Sequence, residues 1–161
     1  FFGDLLGMRL VKRTMNFDDP NSAHWYWAVG DGAPGTILTY FERDPQKEPR
    51  VRMGAGQTHH IALAVKDEAM QLEWREKLLS AGHNVSPVMD RIYFKSIYTR
   101  DPDGHIVELA TLGPGFLADE DEASLGAQLR LPPWLESNRA GIARSLTPLR
   151  LPAPAAEAAH E

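Results

Sequence analysis

The chain has 161 residues, 43% hydrophobic and 24% charged, with a formal net charge of −5. That is enough chain for one core of ordinary size, and the acidic balance, with no basic stripe to offset it, excludes a nonspecific nucleic-acid binder. No apolar run reaches the ~20 residues of a membrane-spanning helix, and the absence of cysteine excludes disulfides and thiolate ligands, so a metal would have to be held by His, Asp or Glu. A cytoplasmic location is the expectation.

In chain order, FFGDLLG reads as the last turn of an amphipathic helix stopped by Gly7. A helix that begins partway implies that further chain precedes Phe1 in the native protein. Residues 8–17 alternate like a strand, and Asp18-Asp19-Pro20-Asn21-Ser22 is turn chemistry. Residues 24–29 and 36–41 are two more strands, joined across Gly30-Asp31-Gly32. A polar linker follows over residues 42–56. The pattern then restarts with a strand over residues 59–65 and a helix over residues 68–81, capped by Asp67 and ended by Gly82. Met70, Leu72, Trp74, Leu78 and Leu79 supply most of the helix's apolar positions. Strands are expected over residues 85–88 and 92–100, then the turn Asp101-Pro102-Asp103-Gly104, then a strand over residues 105–112.

The second half thus reads β-α-β-β-β, and the first half reads as the same unit without its opening strand and most of its helix. It is an internal repeat of pattern rather than of identity. The expected organisation is one domain over residues 1–151. Its parts are a first module at 1–41, a second at 57–116, and a C-terminal loop and helix at 117–151. That last part turns acidic before Pro132-Pro133 opens a short helix holding Trp134, Leu135, Ile142 and Leu146. The Pro/Ala-rich tail 152–161 is expected to be disordered.

Alternation places His60, Ala62 and Ala64 on one face of their strand, and Ile61, Leu63 and Val65 on the other. On the last strand Ile106, Glu108 and Ala110 line up in the same way. A glutamate in so apolar a strand is unfavourable by several kcal/mol unless it is paired, and a metal would neutralise it. A hydrogen-bonded structural histidine and a solvated edge glutamate account for the same residues without a metal. His24 suits packing or hydrogen bonding within its aromatic strand, although it could face a pocket. His105 suits a solvated turn, and His83 and His160 carry no functional reading. Asp90 could orient Arg91 or form an exposed pair, while Lys12 and Arg13 read as surface charges. The sequence holds no phosphate loop, nucleophile elbow or HExxH helix.

The stretch DRIYFKSIYTRDPDGHIVELATLGPGFLADEDEASLG resembles the C-terminal end of the hydroquinone and chlorohydroquinone ring-cleaving dioxygenases. These belong to the vicinal oxygen chelate (glyoxalase/bleomycin resistance/extradiol dioxygenase) superfamily. LGMRLVKRTMNFDDP and PGTILTYF resemble the first module of those enzymes, and HHIALAV resembles their last. The similarity runs in order over about residues 1–150. It implies an α+β fold in which paired βαβββ modules form a curved mixed sheet around a metal-binding cleft. It further implies a non-haem Fe(II) dioxygenase of extradiol type, with Mn(II) as the other metal. Such an enzyme cleaves a dihydroxylated ring, a catechol or a hydroquinone, with O₂. By the same resemblance His60 and Glu108 are metal ligands, His59 and Arg91 contact substrate, and Tyr98 hydrogen-bonds near the metal. The third ligand would be a histidine on a strand preceding Phe1. Longer members have four modules, whereas this chain has room for two. A glyoxalase-like isomerase or lyase is one alternative, although residues 34–41 lack the carboxylate it would use. A metal-free protein that binds an aromatic ligand is another. Open-edged modules pair edge to edge, so a homodimer is expected.

Overall fold

A computed structural model of the protein describes residues 1–47 and 54–148. The middle of the expected linker and the whole of the expected disordered tail lie outside the described residues. The chain divides into two compact units, Phe1–Gly115 and Phe116–Glu161. No helix among the described residues is long and apolar enough to cross a membrane.

The first unit opens on a single helical turn. Leu5 and Leu6 N–H donate to the Phe1 carbonyl and Gly7 N–H donates to that of Gly3. Gly7 then leaves the turn at φ 71°, a left-handed angle that glycine adopts without steric penalty. Three antiparallel strands follow, β1 (Arg9–Met15), β2 (Ala23–Ala28) and β3 (Ile37–Phe41), in the order β1-β2-β3. The second sheet contains β4 (His60–Val65), β5 (Met89–Asp90), β6 (Lys95–Arg100) and β7 (Ile106–Thr111), in the order β4-β7-β6-β5. Its β4 and β7 run parallel, and α1 (Glu68–Ser80) makes the connection out of β4 that a parallel pair requires. The class is α+β, and neither sheet closes into a barrel.

The core lies under α1. Val65, Leu78, Ile97 and Leu109 form it, with Leu63, Trp74 and Val85 packed alongside. Each such side chain contributes roughly 1.5–3 kcal/mol on burial. Leu5 and Leu6 of the opening turn key into the same cluster, while Phe2 packs on Trp27 and Tyr40 of the first sheet. The opening turn therefore joins the two sheets.

The helix begins as expected, with the Asp67 side chain accepting from Met70 N–H at 2.9 Å. Its buried stripe differs from the apolar list, because only positions spaced by three and four reach the sheet. Gln71, Trp74 and Leu78 face inward, whereas Leu72 is 55% exposed. Gln71 is buried because its amide donates to the carbonyls of Lys95 and Leu109, both at 2.8 Å.

No strand forms over residues 85–88. Pro87 lacks an N–H, and Ser86 makes isolated bonds to Tyr98, N–H to carbonyl at 2.9 Å and Oγ from N–H at 3.0 Å. The strand expected from residue 92 starts at Lys95. Ile92 turns the chain at φ 73°, held by its N–H on Asp90 Oδ1 at 2.7 Å.

The registers matter most for function. Across β4, β7 and β6, His60, Ile106 and Arg100 form one row on the face away from α1. Ala62, Glu108 and Tyr98 form the next, and Ala64, Ala110 and Ser96 the third.

In the second unit, 3₁₀ turns at Phe116–Ala118, Glu122–Ser124 and Pro133–Asn138 precede α2 (Arg139–Ser145). The one expected C-terminal helix is thus a 3₁₀ segment running into a short α-helix. Arg139 clasps Glu136 through Nε at 2.8 Å and Nη2 at 2.5 Å, and that hydrogen-bonded fork lowers the Glu136 carboxyl below its ordinary range.

Candidate active site

Glu108 sits mid-strand in β7 and is only 3% exposed. Three neighbours satisfy it. Ser96 Oγ and Tyr98 OH both donate to its Oε1, the tyrosine at 3.0 Å, and His60 Nε2 stands 2.8 Å from its Oε2. The row pattern explains the convergence. Tyr98 is the direct cross-strand partner of Glu108, and Ser96 and His60 are diagonal neighbours on the same face. Ala62 and Ala64, exposed beside His60, leave this face open.

The network continues outward. Arg91 Nη2 donates to Tyr98 OH at 3.2 Å, and its guanidinium lies 5.5 Å from the centre of the Tyr98 ring. On the other flank His59 Nδ1 and His60 Nδ1 are 2.9 Å apart, so one of the two rings donates to the other. His59, His60, Glu108, Tyr98 and Arg91 therefore form one hydrogen-bonded chain, and the structure brings all five predicted site residues together. His59, His60, Arg91 and Tyr98 line a cleft of about 690 Å³, with Glu108 beneath them.

The donor set can be tested against a metal. Two ligand atoms bound side by side on one ion at about 2.1 Å stand roughly 3 Å apart. The 2.8 Å between His60 Nε2 and Glu108 Oε2 suits that arrangement as well as it suits a direct hydrogen bond. Imidazole nitrogen with carboxylate oxygen is also a fitting pair for a divalent transition metal. These residues fit two neighbouring coordination positions.

Another group has more potential donors but a different explanation. Asp101, Asp103 and His105 carry donor atoms within 4.8 Å of one another, the only such trio among the described residues. Asp101 Oδ1 accepts the backbone N–H groups of Asp103 and His105 at 3.0 and 2.8 Å, and Oδ2 lies 2.9 Å from His105 Nδ1. These bonds hold together the turn that feeds β7. His105 is thus paired to Asp101 rather than simply solvated. His24 packs against Tyr26 and Phe41, each ring centre 4.1 Å away, and its Nδ1 is 2.9 Å from Tyr26 OH. His83 lies against Phe1, at 5.4 Å between ring centres, and forms part of the cleft wall.

Tyr40 sits beside that turn, 6.1 Å from the His105 ring. Burial first, and then the carboxylates of Asp101 and Asp103, push its phenol well above the ordinary value of 10.0. Ionisation therefore favours the unfolded chain. Stability is intact below about pH 10 and falls as pH rises from there through the folded value. Alkaline unfolding followed by circular dichroism is expected to move to higher pH in Tyr40→Phe. An unchanged midpoint would show that this phenol is not linked to folding.

Two residues of the site escaped the sequence reading. Ser96 and Arg100 flank Tyr98 at a spacing of two along β6, so they share its face. The signal that could have found them is the alternation itself, carried outward from Tyr98.

Comparison with known proteins places the geometry in context. MhqA of Bacillus subtilis, named by inference as a ring-cleaving dioxygenase, is 40% identical over 121 residues, covering 75% of this chain and 38% of MhqA. The chlorohydroquinone/hydroquinone 1,2-dioxygenase of Sphingobium indicum is 30% identical over 121 residues, covering 74% of this chain and 37% of that enzyme. The chain thus spans little more than a third of the length of these relatives. In fold, it is similar to the crystal structure of a Bacillus subtilis protein described as a dioxygenase by inference. That likeness has a TM-score of 0.60 at 24% identity and covers 93% of this chain and 92% of the other. A family profile matches residues 1–109. With that match over most of its length, the chain belongs to the Glyoxalase/Bleomycin resistance protein/Dioxygenase superfamily.

Proposed function

We propose that the chain forms the metal- and substrate-binding part of a non-haem Fe(II)-dependent extradiol-type dioxygenase that cleaves a dihydroxylated aromatic ring with O₂. The observation that carries this reading is the buried Glu108 carboxylate, 2.8 Å from His60 Nε2 beneath an open cleft. The names of the relatives at 40% and 30% identity support the choice of ring cleavage over other chemistries of the fold.

His60 and Glu108 would hold the metal, with Mn(II) as the other candidate ion, and one further protein ligand would complete the set. When bound, the ion would acidify a substrate hydroxyl and link the ring electronically to O₂. The remaining tasks fall to the protein's own side chains. Arg91 and His59, at opposite ends of the hydrogen-bonded chain, would hold the phenolate and the negative charge that develops on the ring oxygens. Tyr98 keeps its hydroxyl proton on Glu108 Oε1 and would deliver it to an oxygen of the opening ring. Ser96 fixes the Glu108 carboxylate from below, so that Oε2 stays turned toward His60. A ring C–C bond beside a hydroxyl-bearing carbon breaks, and both oxygen atoms remain in the product. A glyoxalase-like isomerase would need a further carboxylate from β3, whose residues ILTYF include none.

The test is anaerobic reconstitution with Fe(II), followed by metal analysis and oxygen-electrode assays on hydroquinone and catechol. One equivalent of iron and one O₂ consumed per ring are expected, with both lost after chelation. An iron-loaded protein that consumes no oxygen with either diol would sink the proposal.

A further inference from the structure

We propose that this site selects a ring bearing a carboxylate substituent, and that Arg100 is the residue that recognises it. The inference rests on the ring-binding part of the reading above and adds the substrate class to it.

The argument begins with the row His60, Ile106, Arg100. Neighbouring strands lie about 4.8 Å apart, so His60 and Arg100 stand roughly 10 Å from each other across the sheet. The Ile106 side chain lies between them on the same face and forms an apolar floor to the cleft. A benzene ring held by its hydroxyl at the His60 end would cover Ile106. A substituent on its far side would then project toward Arg100.

Charge points the same way. The cleft wall carries Arg91, Arg100 and the histidines 59, 60 and 83, and no acidic side chain among the described residues lines it. Glu108 lies in the adjacent row, buried and already satisfied by three partners. In a chain of net charge −5 this is a local reversal, and an anionic ligand would be drawn to it.

The two arginines are not equivalent. Arg91 is tied to the Tyr98 hydroxyl and stacked on its ring. Arg100 Nη1 donates to the Gly104 carbonyl at 2.6 Å, which anchors the guanidinium without neutralising it. The neighbouring Asp101 carboxylate is committed to its own turn and to His105. The other guanidinium nitrogens of Arg100 remain to form the paired bonds that a planar carboxylate accepts.

Isothermal titration under anaerobic conditions, with 2,5-dihydroxybenzoate and with hydroquinone, tests this. The carboxylated ring is expected to bind about tenfold tighter or better, the range of a charge-assisted hydrogen bond. Arg100→Gln is expected to bring that ratio close to one, and Arg100→Lys to retain part of it. Equal affinities in the wild type, a preference that survives Arg100→Gln, or no binding of either ring would each overturn the inference. A carboxylate preference without oxygen uptake on any ring would uphold it and overturn ring cleavage. Oxygen uptake without the preference would do the reverse.

Discussion

Glu108→Gln is expected to abolish metal retention and turnover while leaving the fold in place. Glutamine matches the shape of glutamate, and its amide oxygen can still accept from Ser96 Oγ and Tyr98 OH, the two donors that now converge on Oε1. What disappears is the negative charge and the acceptor facing His60 Nε2. An ion left there would lack its only carboxylate ligand, a loss of several kcal/mol that corresponds to roughly a thousandfold in rate. Glu108→Ala is the weaker test, because it strands two donors in a buried position, at about 1–3 kcal/mol each, and confounds folding with catalysis. Iron equivalents, oxygen uptake and thermal unfolding on the same preparation separate the effects. A variant that keeps its iron and its turnover would remove Glu108 from the metal site.

Strand alternation shows which face His60 and Glu108 each take on their own strand, and the family resemblance, not the spacing, pairs them. Alanines beside one and branched residues behind both announce which face is open and which is packed. The same logic should have extended to Ser96 and Arg100, but a serine and an arginine on a strand carry no signal until a neighbour on their face has a role. The row His60, Ile106, Arg100 was further out of reach. It depends on the parallel register of β4 with β7, which the alternation within either strand does not specify. Gln71 shows the opposite failure. A list of the helix's apolar positions includes the exposed Leu72 and omits the buried Gln71, because hydropathy cannot see two sheet carbonyls waiting for a donor. The segment 85–88 looked like a strand by composition and lost that status through one missing N–H at Pro87.

Tyr98→Phe separates the proton from the metal. The hydroxyl accepts from Arg91 at 3.2 Å and donates to Glu108 at 3.0 Å, so it links the side chain proposed to bind metal to one proposed to bind substrate. Phenylalanine preserves the ring, which packs edge-on to His60 at 6.2 Å between centres. Glu108 keeps Ser96 and His60 as partners. Iron content at saturating Fe(II) is therefore expected to stay near one equivalent, in contrast to Glu108→Gln. Turnover is expected to fall about a hundredfold or more, the usual contribution of a positioned general acid. The drop should appear in kcat more than in KM, because the proton is used after the ring has bound. An Arg91→Gln variant provides the comparison, since on the role proposed for Arg91 the loss of a substrate contact raises KM first. If Tyr98→Phe kept wild-type kcat, the hydroxyl would be a tether for Arg91 and nothing more. If it lost iron as completely as Glu108→Gln, the hydroxyl would act by holding the carboxylate in place, and the proton would have to come from His59.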